Sequence, residues 1–389
     1  MRVVEDDVSQ RSCSIAYSAR AQRISLVRSH RATGNVVLTR MKLSIVFLLC
    51  VAACRADDIA SAAGQIFQNI LPSLITNSVT GQQGNTGANT LQQIGSVVGG
   101  VVDYAKKKSY EDLLRQVQDQ TSDDDLLRVG EEMFNADLNN AINYIQVNLQ
   151  GRTTPMSRND EAQASLLTVP DNVWNGPTIR PMVALFDNYH KNVIRPEFVT
   201  PNEETEVITY INTILATGPI RSLMTFLVSK GLTQMNEYNE QVELLKKIWF
   251  TKYARHWTSL CKCSCAFENV FMAELKSNDV LGLHSWLFFA KREQDRKANY
   301  LGYIDKLDLS GKGLILKQHS ILSDTKDAPE VNMFVGTSPE LETALYTLCF
   351  MARPDRPCKL RYNNVPFTIQ TKTLKADNLL VIDTAYPYF

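Results

Sequence analysis

The sequence predicts an α+β fold, a helical N-terminal half followed by a strand-rich C-terminal half. Two observations carry this. From about residue 108 to 257, apolar side chains recur at helical spacing. After Lys312 the period changes, and short β-rich runs alternate with turn residues. The 389 residues are enough for one large or two modest domains.

Taken in order, 57–75 reads as an amphipathic helix, with Ile59, Ile66, Phe67 and Ile70 near one face. Residues 76–93 form a polar Gln/Gly/Asn/Thr linker, and 94–104 is a small-residue apolar helix. Ser122 followed by three aspartates opens a helix, because acids in a first turn complement the exposed N–H groups. Thr205–Leu215 and Ile220–Leu227 are apolar-periodic. Val242–Trp257 is expected as one helix, burying Leu244, Leu245, Ile248 and Trp249. Strands are predicted at 314–316 and 333–335. Ser338 then caps a helix with Pro339 at its first position and Glu340 and Glu342 in its first turn. Leu341, Leu345 and Leu348 line one side of that helix, and strands follow at 358–362, 367–372 and 379–382.

The formal net charge of zero hides an asymmetry. Nine basic but only three acidic residues fall in 1–56, leaving 32 basic and 38 acidic residues in 57–389. A chain of that balance does not bind polyanions by bulk charge, so any nucleic acid must meet a local basic site. Met41-Lys42 precedes an apolar run, Leu43–Ala53, and small residues at Cys54 and Ala56. This is the pattern of a secretory signal peptide over 41–56, too short to span a bilayer as a stable helix. Residues 1–40 then read as an upstream extension outside the native product, with an Arg/Ser-rich presequence as the alternative. The expected organisation is therefore 1–40 extension, 41–56 signal, 57–107 helical and polar segment, and 108–389 main domain. A secreted, extracellular product with no membrane association follows, and its cysteines should be largely oxidised. Five remain after 56: Cys261, Cys263, Cys265, Cys349 and Cys358. Cys349 and Cys358 end a helix and begin a strand and can pair; the odd count leaves one thiol. The Cys-x-Cys-x-Cys run lacks the partner cluster that zinc requires.

Several segments occur in a characteristic order. They include 143–151 (NYIQVNLQG), 185–189 (LFDNY), 248–253 (IWFTKY), 267–271 (FENVF) with Glu274, and 282–286 (GLHSW). Tyr300–Tyr303, 336–347 (GTSPELETALYT) and 384–387 (TAYP) follow. Each alone is a weak signal. As an ordered set over about 110–389 they resemble the EndoU (XendoU-like, poly(U)-specific) endoribonuclease family.

The resemblance implies an EndoU-like fold and cleavage of single-stranded, uridine-containing RNA, stimulated by Mn²⁺. The ribose 2′-OH would attack its own phosphorus and leave a 2′,3′-cyclic phosphate, which excludes DNA as substrate. Such a reaction needs a base near the 2′-OH, an acid near the departing 5′-oxygen and a cation beside the phosphoryl oxygens. The family supplies two histidines and a lysine. His284 stands at the second histidine position. Lys326, placed in a loop between two strands, is the candidate lysine, with Lys317 the alternative. Thr384 and Tyr386 match the positions that hold the uracil, by a hydroxyl to the pyrimidine edge and a ring against the base. Glu268 and Glu274 match family acids that orient a histidine or hold Mn²⁺ through oxygen.

At the first histidine position stands Asn269. Asparagine cannot take up and release a proton near neutral pH. The expectation is thus a weakened endoribonuclease in which Asn269, His284, Lys326 and Glu268 make up the catalytic group; the rival is an inactive RNA-binding pseudoenzyme. Glu268, His256 or His319 are the residues that could substitute for the missing group. A monomer is expected.

Overall fold

The computed structural model describes residues 110–389 apart from 197, 232–236, 256–260, 323–325 and 377–378. The expected extension, signal peptide and linker, and His256, lie outside the described residues.

Residues 110–120 are helical. Helix α1 (Asp123–Asn135) starts where expected: Ser122 Oγ accepts from Asp125 N, and Asp125 reaches back to the Ser122 N–H. This reciprocal capping satisfies two N–H groups that the helix cannot bond itself. The chain then runs through loops, short helical turns and the two-residue pair β1 (Gln146–Val147) and β2 (Leu167–Thr168). The helical period read across this stretch is thus broken. Helix α2 (Pro201–Leu215) repeats the reciprocal cap with Thr200 and Glu203, and α3 (Gly218–Ser229) follows.

Helix α4 spans Tyr238–Phe250, shorter than the sequence predicts. Thr251 is extended, and Tyr253 instead pairs as an isolated antiparallel bridge with Ser264. Tertiary pairing overrides the helical period there. After α5 (Ala266–Phe271), strands β3 (Ala273–Lys276) and β4 (Asp279–Gly282) form a hairpin that the sequence reading did not anticipate. Helix α6 (Trp286–Gln294) follows, and then the antiparallel sheet β5 (Ala298–Asp308), β6 (Leu314–Leu322) and β7 (Lys326–Val335).

Helix α7 (Pro339–Ala352) is buried on every side, not on one stripe. Some of its polar groups are bonded internally, for Trp249 Nε1 donates to Thr347 Oγ1 at 2.9 Å and Tyr210 shares a 3.0 Å bond with Thr343, whereas the Tyr346 hydroxyl is buried without a partner. Burial pushes the Glu342 carboxyl up from its usual value, and Thr337 donates to it. A second antiparallel sheet orders β8 (Cys358–Tyr362), β9 (Val365–Ala376) and β10 (Leu379–Tyr388), with β9 central. The Cys349–Cys358 disulfide ties α7 to β8, while Cys265 is a buried free thiol. Both strand-rich sheets lie after residue 297, in agreement with the α+β reading. Among the described residues no single helix is long and apolar enough to cross a membrane.

Candidate active site

The β3–β4 hairpin brings Asn269 and His284 together. It returns the chain onto the end of α5, where His284 N bonds Val270 O at 3.1 Å and Leu283 N bonds Met272 O at 2.6 Å. Gly282 makes this approach possible. Its φ is +82°, and a Cβ there would lie 1.6 Å from the Asn269 carbonyl oxygen. Only a residue without a side chain fits. On the other side, Ser285 forms a parallel bridge with Phe334 and fastens the segment to β7.

His284 is 8% exposed. Its Nδ1 lies 2.8 Å from the carbonyl oxygen of Asn332 on β7. A carbonyl only accepts, so Nδ1 carries the proton and Nε2 keeps its lone pair. Desolvation lowers the imidazole to about 4, against 6.5 for a free histidine. The ring is therefore neutral at physiological pH, suited to taking a proton and not to giving one. It packs 4.9 Å from the Tyr386 ring, at an interplanar angle of 32°. Thr384, two residues before Tyr386 on β10, has its hydroxyl oxygen shielded from solvent with no hydrogen-bond partner, as does Asn332 Oδ1. Three residues picked from the sequence, His284, Thr384 and Tyr386, thus converge with Asn269 on one locality.

The expected acids serve other partners. Asn269 donates through Nδ2 to Glu274 Oε2 at 3.3 Å. Glu274, wholly buried, is paired with Arg255 Nε at 2.7 Å, and Arg255 continues to Asp383 and to the Tyr253 hydroxyl. Arg255 and Asp383 were not anticipated; nothing in their sequence context marks them. Glu268 pairs with Lys252 and accepts from Cys265 N at 3.1 Å, so it caps its own helix. It lines a cavity with Phe250, Lys252 and Cys265. It therefore does not stand in for the missing histidine. Each carboxylate already faces a cation, and Glu274 Oε1 is buried without a hydrogen-bond partner. Among the described residues no group of three His, Cys, Asp or Glu could hold a metal.

Lys326 is not in a loop but opens β7, six residues before Asn332. Its ammonium donates to Asn278 Oδ1 at 2.7 Å, at the tip of the β3–β4 hairpin. His284 lies beyond the opposite end of β4, so Asn278 and Gly282 alone are separated by roughly 13 Å of strand. Lys326 is thus not at the site. Lys317 sits across from Asn332 in the sheet register but is paired with Glu330 at 2.9 Å. His319, the other substitute considered, is fully buried with both ring nitrogens engaged, Nδ1 by Thr154 O at 3.1 Å and Nε2 by Asp327 at 2.7 Å. It cannot exchange protons with a substrate at His284.

The locality thus joins a neutral histidine of fixed tautomer, an aromatic ring and a hydroxyl without a hydrogen-bond partner. The chain belongs to the XendoU endoribonuclease family: the family model described as "Endoribonuclease XendoU" matches residues 125–387. Among its relatives, the uridylate-specific endoribonuclease EndoU of Drosophila melanogaster is 32% identical over 268 residues, covering 68% of this chain and 82% of that one. The uridylate-specific endoribonuclease of Bos taurus is 31% identical over 264 residues, covering 66% of this chain and 62% of the bovine protein. The solved structure of XendoU, described as a splicing-independent snoRNA-processing endoribonuclease, superposes with a TM-score of 0.57. It has 26% identity and is covered over 96% of its length, against 68% of this chain.

Proposed function

We propose that this chain is a uridine-preferring endoribonuclease that cleaves single-stranded RNA with only half of its acid–base pair. The observation that carries this reading is the state of His284: neutral, with Nδ1 bound to Asn332 O and Nε2 left as the basic nitrogen. Tyr386 would lie against the uracil ring, and the Thr384 hydroxyl would bond its edge. His284 Nε2 accepts the 2′-OH proton as the 2′-oxygen bonds to phosphorus. The P–O5′ bond breaks, leaving a 2′,3′-cyclic phosphate on one fragment and a 5′-OH on the other.

The 5′-oxygen must gain a proton. Because His284 is the base, the position left without its group is the acid, and this is where Asn269 stands. Its amide is turned to Glu274 and cannot donate a titrating proton. Water would have to serve instead, at a cost of roughly 10²–10⁴ in rate. The same observation favours the second reading, an RNA-binding pseudoenzyme that keeps the uridine contacts without turnover. Manganese stimulation belongs to the proposal through family resemblance alone, and no step is assigned to the metal. Secretion and a monomeric state are likewise proposed; the Cys349–Cys358 disulfide supports an oxidising compartment.

The test is cleavage of a short fluorescent RNA carrying one uridine, with and without Mn²⁺, by the wild type and by Asn269→His. Slow wild-type cleavage ending in a cyclic phosphate supports the enzyme. Cleavage by the variant alone supports the pseudoenzyme. If neither protein cuts or binds the RNA, both readings are overturned.

A further inference from the structure

A negatively charged phosphate in transfer needs a cation beside it, and neither expected lysine provides one. Lys326 is bound at the hairpin tip, and the Lys317 ammonium is neutralised by Glu330. The register of β9 and β10 identifies another. Lys372 lies directly opposite Thr384, and Gln370 lies directly opposite Tyr386. Facing residues of an antiparallel pair project to the same side, as do residues two apart on one strand. Lys372, Gln370, Thr384 and Tyr386 therefore share one face of the sheet. Tyr386 on that face is the ring that meets the His284 imidazole. The opposite face is different, for Phe367, Ile369, Thr371 and Ala385 are buried.

A bulge between Ile382 and Thr384 sets the charges apart. It places Asp383 out of the alternation, and its carboxylate turns to Arg255. Asp383 is thus withdrawn from Lys372, which is solvent-exposed, and Asp355 is taken up by the N–H and hydroxyl of the neighbouring Thr373. Burial mainly lowers the His284 imidazole, and the Lys372 ammonium adds to that by disfavouring its protonation. That is in keeping with the shared face read from the strand register.

We infer that Lys372 forms a phosphate subsite beside His284 and holds the phosphodiester on the 3′ side of the bound uridine. This rests on the reading of Thr384 and Tyr386 as the uracil site. The flexible ammonium would meet a non-bridging oxygen as a point charge. Thr384 and Lys372 would then hold base and phosphate of one nucleotide from facing positions on two strands.

The experiment measures binding of a fluorescent RNA containing a single 2′-fluorouridine, which cannot attack its own phosphate. Fluorescence anisotropy is recorded over a series of salt concentrations. Lys372→Ala should weaken binding about tenfold and reduce the slope of log affinity against log salt by about one. Lys372→Arg should recover most of the affinity, whereas Lys326→Ala and Lys317→Ala should leave it within twofold. In the free protein, Lys372→Ala should also raise the titration midpoint of His284 seen by NMR, which confirms placement independently of RNA. If the wild type binds and Lys372→Ala binds equally well with the same salt slope, the subsite is overturned while the RNA reading stands. If the wild type does not bind, the RNA reading fails and takes the subsite with it.

Discussion

His284 Nδ1 lies 2.8 Å from the carbonyl oxygen of Asn332, a bond between a hairpin-borne imidazole and the edge of a separate sheet. It fixes the tautomer without using a carboxylate, so no nearby negative charge raises the imidazole. Burial then prevails, and the ring stays neutral.

The pH dependence follows from this. His284 titrates at about 4 in the folded chain and near 6.5 when free. Below 6.5 the unfolded chain takes up the proton first. The stability tied to this group is complete above 6.5 and is lost as pH falls towards 4. Unfolding free energies from urea melts of the wild type and His284→Gln between pH 7 and 4 should diverge by on the order of 3 kcal/mol, with the wild type losing more. Any cleavage should persist well below pH 6 on its acid side, and His284→Gln should abolish it.

Asn269→His should raise the cleavage rate by tenfold or more, with little change in the KM for a uridine-containing RNA. The gain should require a protonated group, so it should fade as pH rises above the titration of the new histidine. A pH–rate profile distinguishes this from a mere packing improvement. An equal rate at every pH would place the defect elsewhere.

Gly282→Ala should destabilise the fold by about 2–4 kcal/mol. The new methyl would meet the Asn269 carbonyl, and φ of +82° is itself unfavourable for alanine. Chemical denaturation measures the loss. If the variant still folds, cleavage should fall further than stability alone explains, because Asn269 and His284 can no longer approach as closely.

Arg255→Met should cost roughly 3–5 kcal/mol, since it leaves Glu274 buried and unpaired. Adding Glu274→Gln should recover part of that loss. Thermal melts of the single and double variants check the coupling.

Much of this was legible in the sequence because local rules agree with the fold. Ser122 and Ser338 start helices by side-chain capping, which is a short-range interaction. His284, Thr384 and Tyr386 stand out in the sequence because their motifs are local strings, and the structure packs the His284 and Tyr386 rings together. Lys326 was misplaced because a lysine between two strands looks the same whether it sits in the loop or opens the next strand; only the β6–β7 register decides. Val242–Trp257 was read as one helix because its apolar period continues beyond Phe250, where a bridge to Ser264 takes over. Arg255 meets Asp383, and Asn332 meets His284, across long stretches of chain, so no local motif contains both members of either pair.

The site straddles a seam. His284 is anchored to β7 of one sheet, whereas the ring beside it belongs to β10 of the other, and these strands lie against each other. Turnover therefore reports how closely two sheets are docked. A slight parting on warming would separate the imidazole from Tyr386 while every helix and ladder stayed formed. The enzyme would fall silent at a lower temperature than the one at which its circular dichroism changes, so heat would inactivate it before it melts.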